Sequence, residues 1–259
     1  MSERMRPTER FSGLSENYAL YRPDYPDEAI DFLIEKGNLD QSSLVADIGC
    51  GTGISTRLIA ERGVSVIGIE PNQEMLSRAL EQAEQFNQTH GNKLEFRQAK
   101  AEETGLADGS IDLLLSAQAF HWFDKEKALK EFHRLLKYDC YCALMWNERD
   151  ETDEFTRSYG DLLRSLTDAA SVEIPRGRAG YALLASDLFE EGMVKEFLHH
   201  QTLTRDGLLG RAFSTSYVPR TGENRDKLEV ELKALFDRSE KKGAISLHYV
   251  TSIYLARKY

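Results

Sequence analysis

The segment Asp47-Ile48-Gly49-Cys50-Gly51-Thr52-Gly53 constrains this chain more than any other stretch of it. It follows a short continuous apolar run, Leu44–Ile48, and precedes a helical pattern over Ile54–Arg62, so it reads as the turn between a buried strand and a helix. Alternating glycines permit positive φ and let a ligand approach the main chain closely. A helix that starts here leaves its first N–H groups unsatisfied at the same place. Strand, glycine turn and helix in that order form a nucleotide-type site at the carboxyl edge of a parallel sheet.

Around this loop, apolar runs and helical patterns alternate. Residues 27–36 read as a helix set between Pro26 and Gly37. Strands are expected at Leu44–Ile48, Val64–Ile69, Leu94–Gln98, Ile111–Ser116 and Tyr141–Asn147, with helices at Ile54–Arg62, Asn72–Gln88 and Lys125–Lys137. Asn72 is a candidate N-cap. After Asn147 the rhythm changes to a charged turn at Glu148–Glu154, a helix over 155–169 and a Gly/Arg/Pro stretch at Ile174–Gly180. Strand character returns at Val194–Thr204 and Ile245–Arg257, with a helix at Asp226–Lys241 between them. The last two strands are expected to pair antiparallel and finish the sheet. The expected fold is therefore α/β, a Rossmann-like doubly wound sheet of seven mostly parallel strands with an antiparallel last strand and a helical lid elaboration. No repeat or linker divides the 259 residues, so a single domain is expected. Residues 1–147 would supply an N-terminal cap and the cofactor-binding half, and 148–259 the lid insertions and sheet completion.

The glycine spacing discriminates among nucleotide ligands. A dinucleotide fingerprint, G-x-G-x-x-G, seats a pyrophosphate; here Gly53 comes one position early and Ile54 holds the third position. The phosphate-loop pattern G-x-x-x-x-G-K-S/T is absent. Asp47 sets beside the loop a carboxylate that would repel a pyrophosphate and suits a cationic ligand. That favours S-adenosylmethionine, with its sulfonium and ammonium, over NAD or ATP. The second strand ends in Glu70, seventeen residues past Gly53, where a carboxylate accepts hydrogen bonds from both ribose hydroxyls. NAD enzymes place an acid similarly, so Glu70 supports an adenosine ligand without separating the two cofactors.

Taken with Ala101-Glu102-Glu103-Thr104-Gly105-Leu106, Ile111-Asp112-Leu113-Leu114 and Ala117-Gln118-Ala119-Phe120-His121-Trp122-Phe123, these residues resemble successive motifs of class I S-adenosylmethionine-dependent methyltransferases. Phe11, Tyr18 and Arg22-Pro23-Asp24-Tyr25-Pro26 near the start are similar to the small-molecule UbiE/trans-aconitate-like (methyltransferase type 11) group. So are Ser216-Tyr217-Val218-Pro219 and Tyr249-Val250-Thr251-Ser252-Ile253-Tyr254. The resemblance implies S-adenosylmethionine as cofactor and S-adenosylhomocysteine as product. It implies that Asp47, Gly49 and Gly51 line the methionine part of the cofactor, in a loop completed by Cys50, Thr52 and Gly53. Glu70, followed by Pro71, would hold the ribose, and Ala101 and Glu102 would meet adenine through their backbone. Many relatives carry Asp just before that alanine, where this chain has Lys100. Ala117 and Gln118 would face the reacting methyl group, and Tyr18 and Arg22 would close over the cofactor, Arg22 pairing with its carboxylate.

Methyl transfer is an in-line displacement in which the protein aligns the nucleophile and excludes water. A base is needed only where the acceptor must lose a proton. His121 is the candidate by position, its alternative being structural packing against Trp122. Phe120, Trp122 and Phe123 are read as packing residues and Cys50 as a small neutral filler. His199 and His200 point to opposite faces of a strand, and Cys140 and Cys142 lack a second pair, so no metal is expected. Residues 149–225 hold nine of the 20 arginines but one lysine, Lys195. Most of that stretch reads as mixed-charge surface, with Arg176, Arg178 and Arg220 as candidates for an anionic acceptor's site.

Composition bounds the partners. Lys plus Arg total 33 against 43 Asp plus Glu, a net charge of −10 with no basic block, which argues against nucleic acid. Nucleic-acid amino-methylating enzymes resemble Asp/Asn-Pro-Pro-Tyr/Phe after the fourth strand, where this chain has Ser116-Ala117-Gln118-Ala119. No apolar run reaches the ~20 residues of a membrane span, and the first residues lack a signal's apolar stretch. Three cysteines are unlike a disulfide framework. A cytoplasmic enzyme acting on a small molecule, organic acids among the candidates, is the leading expectation; the sequence sets no oligomeric state. The alternatives are methylation of RNA, DNA or protein, and a non-catalytic S-adenosylmethionine-binding regulatory protein.

Overall fold

A computed structural model of the chain describes residues 21–91, 93–167, 169, 179–215 and 217–259. Among these, one seven-stranded sheet runs in the order β3-β2-β1-β4-β5-β7-β6. Its strands are β1 (Leu44–Ile48), β2 (Ser65–Ile69), β3 (Leu94–Arg97), β4 (Ile111–Ala117), β5 (Leu136–Arg149), β6 (Glu190–Leu203) and β7 (Ile245–Arg257). Pairings from β3 through β5 are parallel, while β7 runs antiparallel to both β5 and β6. The expected sheet is the one the chain adopts.

The helices are α1 (Asp27–Lys36), α2 (Ile54–Ala60), α3 (Gln73–His90), α4 (Lys125–Leu135), α5 (Glu154–Leu166), α6 (Tyr181–Leu184), α7 (Arg205–Phe213) and α8 (Glu223–Ser239). Asn72 caps α3 as expected, its side chain accepting from the Met75 N–H at 3.0 Å. Because strand side chains alternate between faces, Val45, Leu113 and Leu115 pack with α1 and α3, through Ile30, Leu33, Leu76 and Phe86. Their neighbours Ala46 and Leu114 pack on the other face with Leu129, Phe132 and Leu135 of α4. A third cluster, around Tyr159, Leu208, Leu232 and Phe236, joins α5, α7 and α8. The long strand β7 feeds all three clusters: Leu247 and Tyr249 enter the third, Ile253 and Leu255 the first, Tyr254 and Ala256 the second.

Two strands are longer than the apolar pattern implies. β5 begins at Leu136, directly after α4, and the sheet absorbs the junction through Asp139 at φ +68° and a register shift between Ile111 and Leu113. β6 begins at Glu190, where Glu191 at φ +50° sits in a second register shift on the sheet's outer strand. Charged residues at both starts erase the alternation that marks a strand.

What matters for function is the centre of the sheet. The chain leaves β1 toward β2 on one side and returns through β4 on the other, so the carboxyl ends of β1 and β4 open a crevice. The Ser116 hydroxyl donates to the Ile48 carbonyl at 2.9 Å and locks the two strands at that edge.

Candidate functional site

The glycine loop forms the floor of the crevice. Gly49, Gly51 and Gly53 have φ of +74°, +58° and +80°, a region that side chains disfavour. The N–H groups of Gly49 and Cys50 donate to the Ile69 carbonyl at 2.8 and 3.2 Å, and that of Gly53 to the Cys50 carbonyl at 2.9 Å. The Gly51 N–H donates to Glu70 Oε2 at 2.9 Å. These loop donors are turned inward. The loop provides curvature and close approach, and offers little to a phosphate.

Two carboxylates flank it. Glu70 Oε1 accepts from the Asn72 N–H at 2.8 Å. Burial, above all, pushes the Glu70 carboxyl up, against the pull of the Asn72 and Gly51 N–H groups, and the nearby Asp47 charge adds to the push. Asp47 is fully buried. Its Oδ2 accepts from the Ser55 and Thr56 hydroxyls, each at 2.7 Å, which ties the end of β1 to the first turn of α2. Its Oδ1 has no hydrogen-bond partner among the described residues. Burial raises this carboxyl from 3.8 to about 6, the two hydroxyls opposing the shift.

A cavity of about 220 Å³ lies over this edge. Ten residues singled out from the sequence line it: Gly49, Cys50, Gly51, Thr52, Glu70, Pro71, Ala101, Glu102, Ala117 and Gln118. The Ala101–Leu106 loop is anchored from α4, where Glu131 Oε1 accepts from the Thr104 N–H at 2.9 Å and its hydroxyl at 2.6 Å. Burial pushes the Glu131 carboxyl up, but bonds from Arg134 and Thr104 outweigh it and bring it down to about 2.

A second cavity, of about 260 Å³, adjoins the first. Tyr25, Ile54 and Gln118 line both. Gln118 is held at φ +57°, its N–H donating to the Met145 carbonyl at 2.8 Å and its Nε2 to the Asn147 carbonyl at 3.2 Å. A non-glycine residue kept in the left-handed region at such a junction marks a position the surrounding structure over-determines. The far wall of this cavity comes from the end of β5, from α7 and from β7, and includes Arg149, Arg211, Thr215, Tyr217 and Tyr249.

Residues 46–144 match the family model of the methyltransferase domain. Those residues carry a methyltransferase domain. It is 37% identical over 149 residues to an uncharacterized methyltransferase of Mycobacterium tuberculosis, an alignment covering 56% of this chain and 55% of the relative. The chain thus spans about half the length of the curated relatives it matches. Among solved structures, a candidate type II methyltransferase from Anaeromyxobacter dehalogenans superposes with a TM-score of 0.64 at 24% identity, covering 92% of this chain and 97% of that one. A geranyl diphosphate methyltransferase in complex with S-adenosylmethionine gives 0.54 at 13% identity, over 90% and 85% of the two chains. At these identities the likeness is one of fold.

Some of the selected residues stand away from the first cavity. Asp47 and Gly53 lie behind its wall, Asp47 as the staple to α2 and Gly53 as the α2 N-cap. Arg22 lines the second cavity. Tyr18, Phe11, Arg176, Arg178 and Ser216 fall outside the described residues. Arg220 lines neither cavity. Phe120 is fully buried, whereas Trp122 and Phe123 line the first cavity. Cys50 is buried, and burial, with the charges of Asp47 and Glu70, pushes its thiol well up, the state of an inert filler.

His121 lines neither cavity. The Trp146 indole N–H donates to its Nδ1 at 3.4 Å and its ring lies 4.7 Å from that of Trp122. Indole is a donor only, so Nδ1 is the acceptor and the neutral ring carries its proton on Nε2. This placement is that of a packing residue. His199 and His200 stack on Tyr249 and His248 respectively, and no group of three or more His, Cys, Asp or Glu among the described residues is placed to hold a metal ion. No described helix is long and apolar enough to cross a membrane. The residues missed in the sequence, chiefly Arg149, Arg211 and Thr215, come from segments with no motif; Arg211 lies on α7, whose Arg205–Phe213 pattern is too short and glycine-interrupted to announce a helix.

Proposed function

We propose that this chain is an enzyme that transfers a methyl group from S-adenosylmethionine to a small-molecule acceptor seated in the second cavity. The observation that carries this reading is the pair of adjoining cavities meeting at Gln118, one built on Glu70 and the glycine loop, the other walled by the end of β5, α7 and β7. The Thr52 hydroxyl, which lines the first cavity and has no partner among the described residues, fits a ligand with donor groups, and the buried Asp47 carboxyl behind the wall fits one with positive charge. When bound, the cofactor supplies a methyl group on a sulfonium, open to in-line displacement. The protein's part is to hold the adenosine through Glu70, to keep Gln118 and Tyr25 between the two chambers, and to exclude water. The second cavity, about 260 Å³ and so below the ~300–1,000 Å³ typical of ligand pockets, suits a small acceptor. Organic acids remain the acceptor class we favour, and a cytoplasmic setting fits the reading.

Incubating the full chain with methyl-labelled cofactor and carboxylate, phenol, amine and thiol acceptors tests the proposal. Transfer to one class is expected; tight cofactor binding without transfer to any acceptor would favour the regulatory reading.

Two further outcomes follow from the site. His121→Ala is expected to leave S-adenosylhomocysteine affinity and turnover within about threefold of wild type while lowering thermal stability by ~1–3 kcal/mol, the range of an ordinary packing loss. A much slower chemical step at unchanged affinity would restore His121 as the base. For Asp47 the sign is set by its raised folded-state value. The group's favourable contribution is fully present below its unfolded value of 3.8 and is lost as pH rises through about 6, a cost of roughly 3 kcal/mol at neutral pH. A bound cation favours the ionised form, so S-adenosylmethionine affinity should rise between pH 5 and pH 7. Asp47→Asn keeps an acceptor for both hydroxyls and should abolish both pH dependences; calorimetric and unfolding profiles that match wild type would remove Asp47 from the electrostatics of the site.

A further inference from the structure

The second cavity contains a charge that no carboxylate among the described residues answers. Arg211, on α7, is only 6% exposed and lines the cavity. Its Nε donates to the Tyr249 hydroxyl at 3.1 Å. Its Nη1 is buried and has no hydrogen-bond partner among the described residues, none of whose carboxylates pairs with it. Buried guanidinium groups are almost always matched by an acid, because an uncompensated buried charge is costly. Here the surroundings are the phenols of Tyr159, Tyr217 and Tyr249. A planar cation with donors to spare, held in place by a phenol at the wall of a cavity, has the chemistry for a carboxylate.

The acids on the same wall do not fill this role. Glu151 is taken by Arg164, whose Nη1 and Nη2 reach its Oε1 and Oε2 at 2.7 and 2.9 Å, with Arg149 Nε at 3.4 Å from Oε1. Glu148 has an exposed side chain, and desolvation, with Glu196 nearby, pushes its carboxyl up. Arg22 and Arg149 add positive charge to the same lining. Arg149 Nη1 also reaches the Tyr217 hydroxyl at 3.5 Å, so hydroxyl and guanidinium groups alternate along the wall.

We propose that Arg211 is the anchor for a carboxylate of the methyl acceptor, which makes the acceptor a small carboxylic acid. The proposal rests on the second cavity being the acceptor site. It differs from the sequence reading, which looked to Arg176, Arg178 and Arg220. The anchor is a binding determinant and leaves open which atom receives the methyl group.

Calorimetric titration of the full chain, with and without saturating S-adenosylhomocysteine, tests it. The probes are glutarate and phenylacetate, their amides glutaramide and phenylacetamide, and phenyl phosphate. Wild type should bind one or both carboxylates at least tenfold more tightly than the matching amides, a comparison that needs no variant. Arg211→Gln should reduce carboxylate affinity by roughly 10–100-fold, the loss of a charged hydrogen bond, and leave amide and S-adenosylhomocysteine affinities unchanged. Arg211→Lys should recover part of the loss. Carboxylates bound no better than amides, equal affinity in Arg211→Gln, or preference for phenyl phosphate would overturn the anchor. If S-adenosylhomocysteine binds but carboxylates do not, the anchor fails and the cofactor site stands. If carboxylates bind through Arg211 but S-adenosylhomocysteine does not, the reverse holds.

Discussion

Replacing Glu70 with alanine is expected to lower S-adenosylhomocysteine affinity by about 10²–10⁴-fold, measured by isothermal titration calorimetry. Two hydrogen bonds to a charged acceptor are lost, each worth ~1.5–3 kcal/mol. Both oxygens already accept backbone N–H groups, from Gly51 and Asn72. An ionised carboxylate has about four acceptor sites, so each oxygen keeps a lone pair for a ribose hydroxyl. The same geometry means that Glu70→Ala also orphans two donors, and part of its effect will appear as lower thermal stability. Glu70→Gln separates the contributions. It keeps one acceptor near the loop and removes the charge, so its affinity loss should fall between wild type and alanine with a smaller stability change. An alanine variant that binds as wild type does would take Glu70 out of ribose recognition.

Gly49→Ala should disable the site through the fold. A Cβ at position 49 would lie 2.5 Å from the Ala119 Cβ and 2.9 Å from Phe123 Cζ, and the backbone is at φ +74°. Ala119 has no side-chain rotamer to move, so the β4 loop itself must shift. Left-handed strain of ~1–2 kcal/mol adds to overpacking of ~1–3 kcal/mol. A melting temperature lower by about 5–10 °C is expected, together with loss of S-adenosylhomocysteine binding. Gly51→Ala is the contrast. Nothing lies within 4 Å of its Cβ, and Gly51 lines the cavity at φ +58°. It carries only the strain, so stability should fall less while the added methyl group intrudes on the ligand's space. Equal melting temperatures for the two variants would contradict the close approach of the loop to Ala119.

The parts of this molecule that could be read from sequence share one property: their signal is local. Asp47–Gly53 is a contiguous motif between a buried strand and a helix, and Glu70 stands at a strand end that hydrophobicity marks clearly. The inner strands are continuous apolar runs because helices cover both faces. What stayed hidden depends on three-dimensional closure. Arg211 reaches the second cavity only because α7 docks on β7 through Leu208 and Ala212, in the same cluster as Leu247 and Tyr249. Trp122 and Phe123 have the composition of core residues, and only the turn after β4 brings them to the cavity. His121 is a candidate base by its position after β4, with packing as the alternative, and only the fold shows its Nδ1 accepting from Trp146, in β5. The inward-facing loop N–H groups were invisible to the motif, since glycine spacing reports where the chain can turn and not which way its donors face.

The reading of the first cavity as an S-adenosylmethionine site is tested most directly by titrating the full chain with S-adenosylhomocysteine and, separately, with NAD in one calorimeter. Saturable binding of S-adenosylhomocysteine at one site per chain, with no measurable heat from NAD, is the predicted result. Preferential binding of NAD would contradict it.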